Sequence, residues 1–501
     1  MVFGGAFLLR ALTESGTLSM AGGVWLGLAY ALFWLALASR TRGFSGLAHG
    51  VSTVLIALPL TVEAALRFDY FSAAASATAL AAVTMAVLVV ASHLRSRSLA
   101  AIASAAAVVA AGALAVGFGA FVPVSMALLA VGMASLWIGY RRDWGWLAWP
   151  AAIAADLAVA ALAVRTIADP PRESPVGALA VHAALIIGYL STFVIRTLFH
   201  DRPVRTFEVV QTAAVVTIGL LGAVSIAGAH GIGAALIALP SLLVAAGLYA
   251  QTFTRMLSRF GASTEFYYTG MTALAFALVG LSLSFPFPVL PVVVAFCALV
   301  AIAVGWRWEH PMLALQGGIA AVVAAGQSGL IAFAARSWLT TAPVWPAHVL
   351  PMVFVLATVA LALLIPPVAR DPHSAMLSRA ERLALSVALT AGLGSLVVAS
   401  LTPVVAGAPP DAGVLATMRT TIAAGTAVLL AWLGRSPAFV EMRWLAYATL
   451  AIGAIKILAE DLPASRPATL FIALAVYGAA LIAVPRIARS GQDDGAPAAG
   501  A

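Results

Sequence analysis

Residues 443–466 read RWLAYATLAIGAIKILAEDLPASR. Arg443 opens the stretch, an apolar run follows, and Lys456, Glu460, Asp461 and Arg466 close it. Charge gathered at the two ends of an apolar run is the pattern of a membrane-crossing helix, because a hydrocarbon core cannot solvate charge. Lys456 is the only lysine in 501 residues, so an ammonium side chain occurs once, at the edge of that run.

The pattern extends in both directions. Hydrophobic residues make up 63% of the chain and charged residues 9%, with a mean hydropathy of +1.04. A soluble domain carries roughly 45–50% apolar and about 25% charged residues. No soluble core could absorb this much apolar surface. The apolar runs reach the roughly 20 residues that cross a core of about 30 Å, and they lack the alternation of barrel strands. Helices satisfy their own backbone hydrogen bonds where water is absent. The expected fold is an all-α polytopic membrane helix bundle.

A net charge of +8 would suit nucleic acid. The arginines, however, are scattered through short loops, as orientation signals are, and nucleic acid is rejected as a partner. The single cysteine, Cys297, has no cysteine partner for a disulfide or a metal and reads as a small buried apolar residue. HExxH, CxxC, P-loop and GxSxG patterns are absent, and the eight histidines are scattered. No cofactor and no metal site is expected.

About seventeen spans follow from the apolar runs. They fall near 18–38, 47–66, 73–93, 99–117, 123–140, 147–165, 176–195, 207–229, 232–250, 265–284, 289–305, 312–334, 349–366, 383–403, 414–433, 444–459 and 468–484. Residues 1–17 read as a short interfacial segment in which Arg10 and Glu14 pair at i,i+4. The segment has no basic region before its apolar part and does not read as a cleavable signal. Residues 18–484 read as one multi-spanning domain and 485–501 as a disordered tail. About 19 of the 27 basic residues lie in alternate loops or the tail, among them Arg95, Arg141, Arg142, Arg196, Arg202 and Arg205. Assigning those loops to the cytoplasm puts the N-terminus outside and the C-terminus inside a bacterial inner membrane. Trp137, Trp144, Trp146, Trp149, Trp306, Trp308, Trp338 and Trp345 read as interfacial anchors. Gly23 and Gly27 mark a close helix contact.

With catalytic motifs absent, ionisable residues inside spans are the candidates, because each is costly there. Asp156, in the middle of IAADLAVAALAV, would cost a few kcal/mol if ionised and unpaired. Arg165 lies on roughly the opposite helical face. Asp156 must therefore find a partner on another helix, stay protonated or line a wet cavity, and it is the candidate coupling or proton-relay group. Glu63 has Arg67 at i+4 and His182 can be satisfied within a helix contact. Gln316 and Gln327 share a face and can bridge helices, and Arg419 can snorkel from its span's outer end. Lys456 can pair with Glu460 one turn on. By the threading, Glu63, Arg67, His182, Arg419, Lys456, Glu460 and Asp461 all lie towards the outer leaflet, and Arg466 is a further ligand-binding candidate. If they converge, they form a polar outward-facing cavity for an anionic head group or a sugar-phosphate.

Arg443-Trp444-Leu445-Ala446-Tyr447, then Lys456, Asp461 and Arg466, before a span closed by Pro485-Arg486, resemble the C-terminal end of a bacterial family. That family comprises polytopic predicted membrane proteins with an uncharacterised many-helix domain. The segment from Arg95 to Pro150 and the stretch FLLRALTESG are similar to it as well. The resemblance implies a many-helix inner-membrane protein and brings no catalytic residue.

Three functions fit these readings. The first is a transporter or lipid- or glycan-handling protein of the cell envelope, with membrane lipid, anionic lipid or a lipid-linked glycan as partner. The second is a membrane glycosyltransferase or polymerase using Glu63, Asp69 or Asp461. The third is a scaffold without ligand, which requires every intramembrane charge to be paired and no cavity beside it.

Overall fold

Every regular element among the described residues is a helix. The computed structural model describes residues 18–168, 173–200, 202–257, 263–343, 345–368, 372–436, 439–464 and 466–493. The interfacial segment with Arg10 and Glu14 lies outside them.

The helices start where side chains can take up free backbone N–H groups. Ser19, Ser72, Ser96, Ser174 and Asp411 each accept from a backbone nitrogen of the first turn. Pro175 and Pro311 open helices where their missing N–H costs nothing. Along most helices both faces are apolar. The inward face is small and alanine-rich, whereas the outward face keeps Val109, Val116, Val164, Leu350 and Phe471 exposed. A helix apolar all round belongs in lipid.

The chain divides into two compact units, residues 1–243 with 247–276, and 244–246 with 277–501. The sequence reads one continuous domain over this range. The division near residue 276 falls inside a helix rather than in a polar linker, so composition does not mark it.

The first unit contains α1 (Met20–Arg40), α2 (Gly43–Leu66), α3 (Ala73–His93), α4 (Arg97–Phe118), α5 (Phe121–Arg142), α6 (Ala148–Ile167), α7 (Pro175–Val194), α8 (Thr206–Ala229) and most of α9 (Ala235–Gln251). The first half of α10 (Thr264–Ser284) also belongs to it. Chain neighbours pack as hairpins, α1 on α2, α3 on α4 and α5 on α6. A Cβ on Gly27 would stand 2.5 Å from Leu60 Cδ2, so Gly27 marks a close contact of α1 with α2. The core runs from Leu35 through Leu80, Leu114 and Val159 to Ile226.

The second unit contains α11 (Val289–Arg307), α12 (Pro311–Gln327), α13 (Leu330–Leu339), α14 (Val349–Leu364), α15 (Pro372–Leu401), α16 (Ala412–Leu433), α17 (Val440–Lys456) and α18 (Pro467–Asp493). Its core links Val294, Ala321, Val355, Ala427 and Val484. Gly317 lets α12 lie against α11 so closely that an added Cβ would meet the Ala298 carbonyl oxygen at 2.6 Å.

By length and composition, 14 helices among the described residues can cross a membrane, or 15 if one bent pair is a single span. The molecule is thus a polytopic helix bundle. The remaining difference from about seventeen lies in particular elements. The stretch read as 312–334 is broken into α12 and α13, which meet at 58°. Gly329, at φ +79, makes the break in a left-handed conformation that glycine adopts without strain. Helix α14 has only 16 residues. Helix α17 has 17 and carries Glu441, Arg443 and Lys456, too much charge for a plain span.

Two other expectations are corrected. Helix α18 runs through Pro485 to Asp493, although the sequence places a disordered tail over 485–501, of which 494–501 lie outside the described residues. Cys297 is exposed, not buried. It sits beside exposed Phe296 on the outer face of α11, where an apolar residue faces lipid instead of core.

Candidate functional site

The densest buried charge of the second unit lies where α17 ends. Beyond Lys456 the helix widens into a π turn, Ile457–Asp461. An α-helix stacks residue i+4 on residue i, and the i→i+5 bonding of a π turn also brings i+5 over it. Lys456 Nζ is therefore 2.8 Å from Asp461 Oδ2 as well as 3.2 Å from Glu460 Oε2. It also donates to the Ala416 carbonyl and to Thr420 Oγ1, both at 2.9 Å and both on α16. Thr420 Oγ1 in turn donates to Asp461 Oδ2 at 2.8 Å.

Arg419, the neighbour of Thr420 on α16, completes the group. Its Nη1 donates to Glu460 Oε1 at 2.7 Å and its Nη2 to the Thr340 carbonyl. Thr340 caps the C-terminus of the half-helix α13. That end carries unsatisfied carbonyls and the negative end of the helix dipole, which favours a cation. The break at Gly329 thus has a local electrostatic consequence.

The snorkelling expected of Arg419 is corrected here: its side chain is 2% exposed. Two cations face two carboxylates, so the quartet is neutral as a whole. Burial of such a group is tolerated only when nearly every lone pair and proton is satisfied. Two atoms are not: Arg419 Nε and Asp461 Oδ1 have no hydrogen-bond partner among the described residues.

Three members of the quartet line a cavity of about 470 Å³, within the size range of small-ligand sites. Arg419, Lys456 and Glu460 supply its charge, and Trp338, Leu339 and Ile455 supply apolar wall. Trp338 is fixed by a 3.1 Å hydrogen bond from Nε1 to Ser395 Oγ and forms one wall of the cavity.

Arg466 does not join this group. Its side chain is 81% exposed and it pairs with Asp411 at 3.4 Å. Glu63 and His182 belong to the first unit. Glu63 pairs with Arg67 at 3.0 Å on α2, as the i+4 spacing predicts. His182 is buried on α7, its Nδ1 2.8 Å from the Ala178 carbonyl, with Gly222 of α8 packed against the ring. Asp69 stands exposed after α2 in a left-handed conformation. Gln327 bridges helices by donating to Ser282 Oγ of α10 at 3.1 Å.

The first unit has its own polar line, on the buried face of α8. Glu208, Gln211 and Thr212 share that face at i, i+3 and i+4. Thr212 meets the Tyr268 hydroxyl, and Gln211 Nε2 donates to Asp156 Oδ1 at 2.9 Å. Asp156 is buried on α6, and its partner does come from another helix. Arg165 turns away and donates to the Gly119 carbonyl at 2.8 Å.

Glu208 was not among the sequence candidates, although it is fully buried. Arg196 and the Tyr140 hydroxyl both donate to its Oε1, and the Arg205 backbone N–H donates to Oε2 at 2.9 Å. One signal was available. Glu208 is the third residue of α8, where a carboxylate can cap the residue before the helix. Nothing local reveals that Arg196 and Tyr140 would close over it.

No protein-family model matches the chain, and no curated protein and no solved structure matches it.

Proposed function

We propose that this chain is a bacterial inner-membrane protein of the cell envelope that binds and moves a membrane-associated solute, a lipid or lipid-linked glycan with a charged head. The head would sit in the cavity over Arg419, Lys456 and Glu460, and Asp156 of the first unit would serve as the coupling or proton-relay group. Membership of the uncharacterised many-helix family that the C-terminal stretch resembles is part of this proposal. So is a threading with the arginine-rich loops in the cytoplasm.

One observation carries the reading: three members of a charge-balanced quartet, Arg419, Lys456 and Glu460, line an open, mostly apolar cavity. A scaffold needs the ion pairs but not the cavity. Arg419, Lys456 and Glu460 together favour a head group that carries both an acceptor and a donor. A purely anionic head would have to displace Glu460 from Arg419.

The glycosyltransferase or polymerase reading is less well supported. It needs a carboxylate at the membrane boundary beside a substrate cavity; Asp461 and Glu63 are held by cations, and exposed Asp69 lines neither the cavity at Lys456 nor the one at Arg196.

Native mass spectrometry of protein released from native-lipid discs tests the proposal, with wild type beside Lys456→Met and Arg419→Gln. A lipid or glycolipid retained by wild type and lost by both variants is the expected result. Equal retention, or a wild-type protein that carries nothing while remaining folded, would sink the binding role and leave the quartet as a structural clamp.

A further inference from the structure

A second cavity, of about 450 Å³, opens in the first unit at the ends of α5 and α7. Arg141, Arg196, His200, Arg202 and Arg205 line it, with Asp143 as the only carboxylate among its lining residues. The wall is built, not merely adjacent. Buried Glu208 holds Arg196 in place, and the Arg196 guanidinium lies 4.6 Å over the Tyr140 ring. Asp143 holds Arg205 at 2.7 Å. Each carboxylate therefore already answers one arginine. Arg141 and Arg202 have no carboxylate partner among the described residues, and both are exposed to the cavity.

A guanidinium presents donors in a planar fork that matches the oxygens of phosphate. Two unanswered forks and an imidazole around one cavity suit an anion with several oxygens and about two negative charges. An arginine that only orients the chain needs to lie in a loop and needs no cavity, no buried carboxylate and no ring beneath it.

We infer that this cavity is a phosphate-binding site, recognised chiefly by Arg141 and Arg202 on a frame made by Arg196, Glu208 and Tyr140. The phosphate can come from the head group of an anionic lipid or from a free solute. This site is independent of the cavity at Lys456.

Calorimetric titration of the purified full-length protein in micelles tests it with three probes: inorganic pyrophosphate, dihexanoyl phosphatidic acid and, as zwitterionic control, dihexanoyl phosphatidylcholine. The wild type should bind at least one of the first two in preference to the control, and more weakly as salt rises. Arg141→Gln with Arg202→Gln should weaken that binding about tenfold or more while leaving the unfolding midpoint unchanged. Binding of both phosphate probes identifies the phosphate itself as the ligand group. Binding of phosphatidic acid alone identifies a lipid. Binding of pyrophosphate alone identifies a soluble phosphate. No binding of either, no preference over the control, or affinity unchanged in the double variant would overturn the inference. If the double variant does not fold, Arg202→Gln alone replaces it under the same criteria.

Discussion

Glu208 and Asp461 are both fully buried carboxylates, yet they are answered differently. Asp461 takes its cation from five residues away on the same helix and its hydroxyl from Thr420 on α16. Glu208 takes Arg196 from the π turn that follows α7, a phenol from α5 and a backbone N–H from the start of its own helix. The first arrangement has a second cation nearby, since Arg419 also enters the group through Glu460. The second has none to spare for Glu208, because Arg205 is spent on Asp143. A carboxylate with one long-range cation should be the more fragile, and a carboxylate inside a quartet the more redundant.

That contrast can be broken by mutation, measured as equilibrium unfolding in mixed micelles. Glu208→Ala should have the largest effect, a loss of about 3–5 kcal/mol, because it leaves buried Arg196 without a counter-charge. Removing both partners, Glu208→Ala with Arg196→Met, should recover much of it. If the double variant is no better than the single one, the cost comes from packing and not from charge.

Asp461→Ala should cost less, about 2–3 kcal/mol, since Lys456 keeps Glu460, Thr420 and the Ala416 carbonyl. A loss as large as that of Glu208→Ala would show that the quartet is not redundant.

Gly317→Ala gives a reference free of charge in the second unit. Its Cβ would press on backbone atoms of α11 and should cost about 1–3 kcal/mol. Asp156→Asn keeps an acceptor for Gln211 and should change stability by less than about 1 kcal/mol. Any solute movement by the reconstituted protein should nevertheless stop, and transport persisting at the wild-type rate would remove Asp156 from the coupling role.

Arg466→Gln should have the smallest effect, below about 1 kcal/mol, because its pair with Asp411 is solvent-exposed. A larger loss would mean that this pair belongs to the buried network after all.

The candidate site of the second unit was partly legible. Lys456 stood out as the only lysine, and Glu460 sits at the spacing that a helix brings together. Arg419 was marked as an intramembrane charge, but its burial against α13 depends on the break at Gly329, which apolar composition conceals. The role of Asp461 depends on a π turn, and the sequence has no periodic signal for one. In the first unit Asp156 was legible because an acid in mid-span is rare, whereas its partner Gln211 was not, since a glutamine at such a position costs little. Glu208 was hidden for a related reason. It lies close to the loop arginines, where a charge needs no explanation.

Composition alone determined that this chain is a polytopic bundle of helices. Lipid leaves the backbone no other way to close its hydrogen bonds, and the apolar runs are too long and too many for a soluble core. Sequence spacing added the pairs that one helix can make with itself, Glu63 with Arg67 and Lys456 with Glu460. The tertiary structure decided everything that depends on one helix meeting another: the burial of Arg419, the partners of Glu208 and Asp156, and the two cavities. Desolvation of a charge is set by the helices packed around it, and helices that look alike in sequence can present lipid, protein or an open cavity to the same residue.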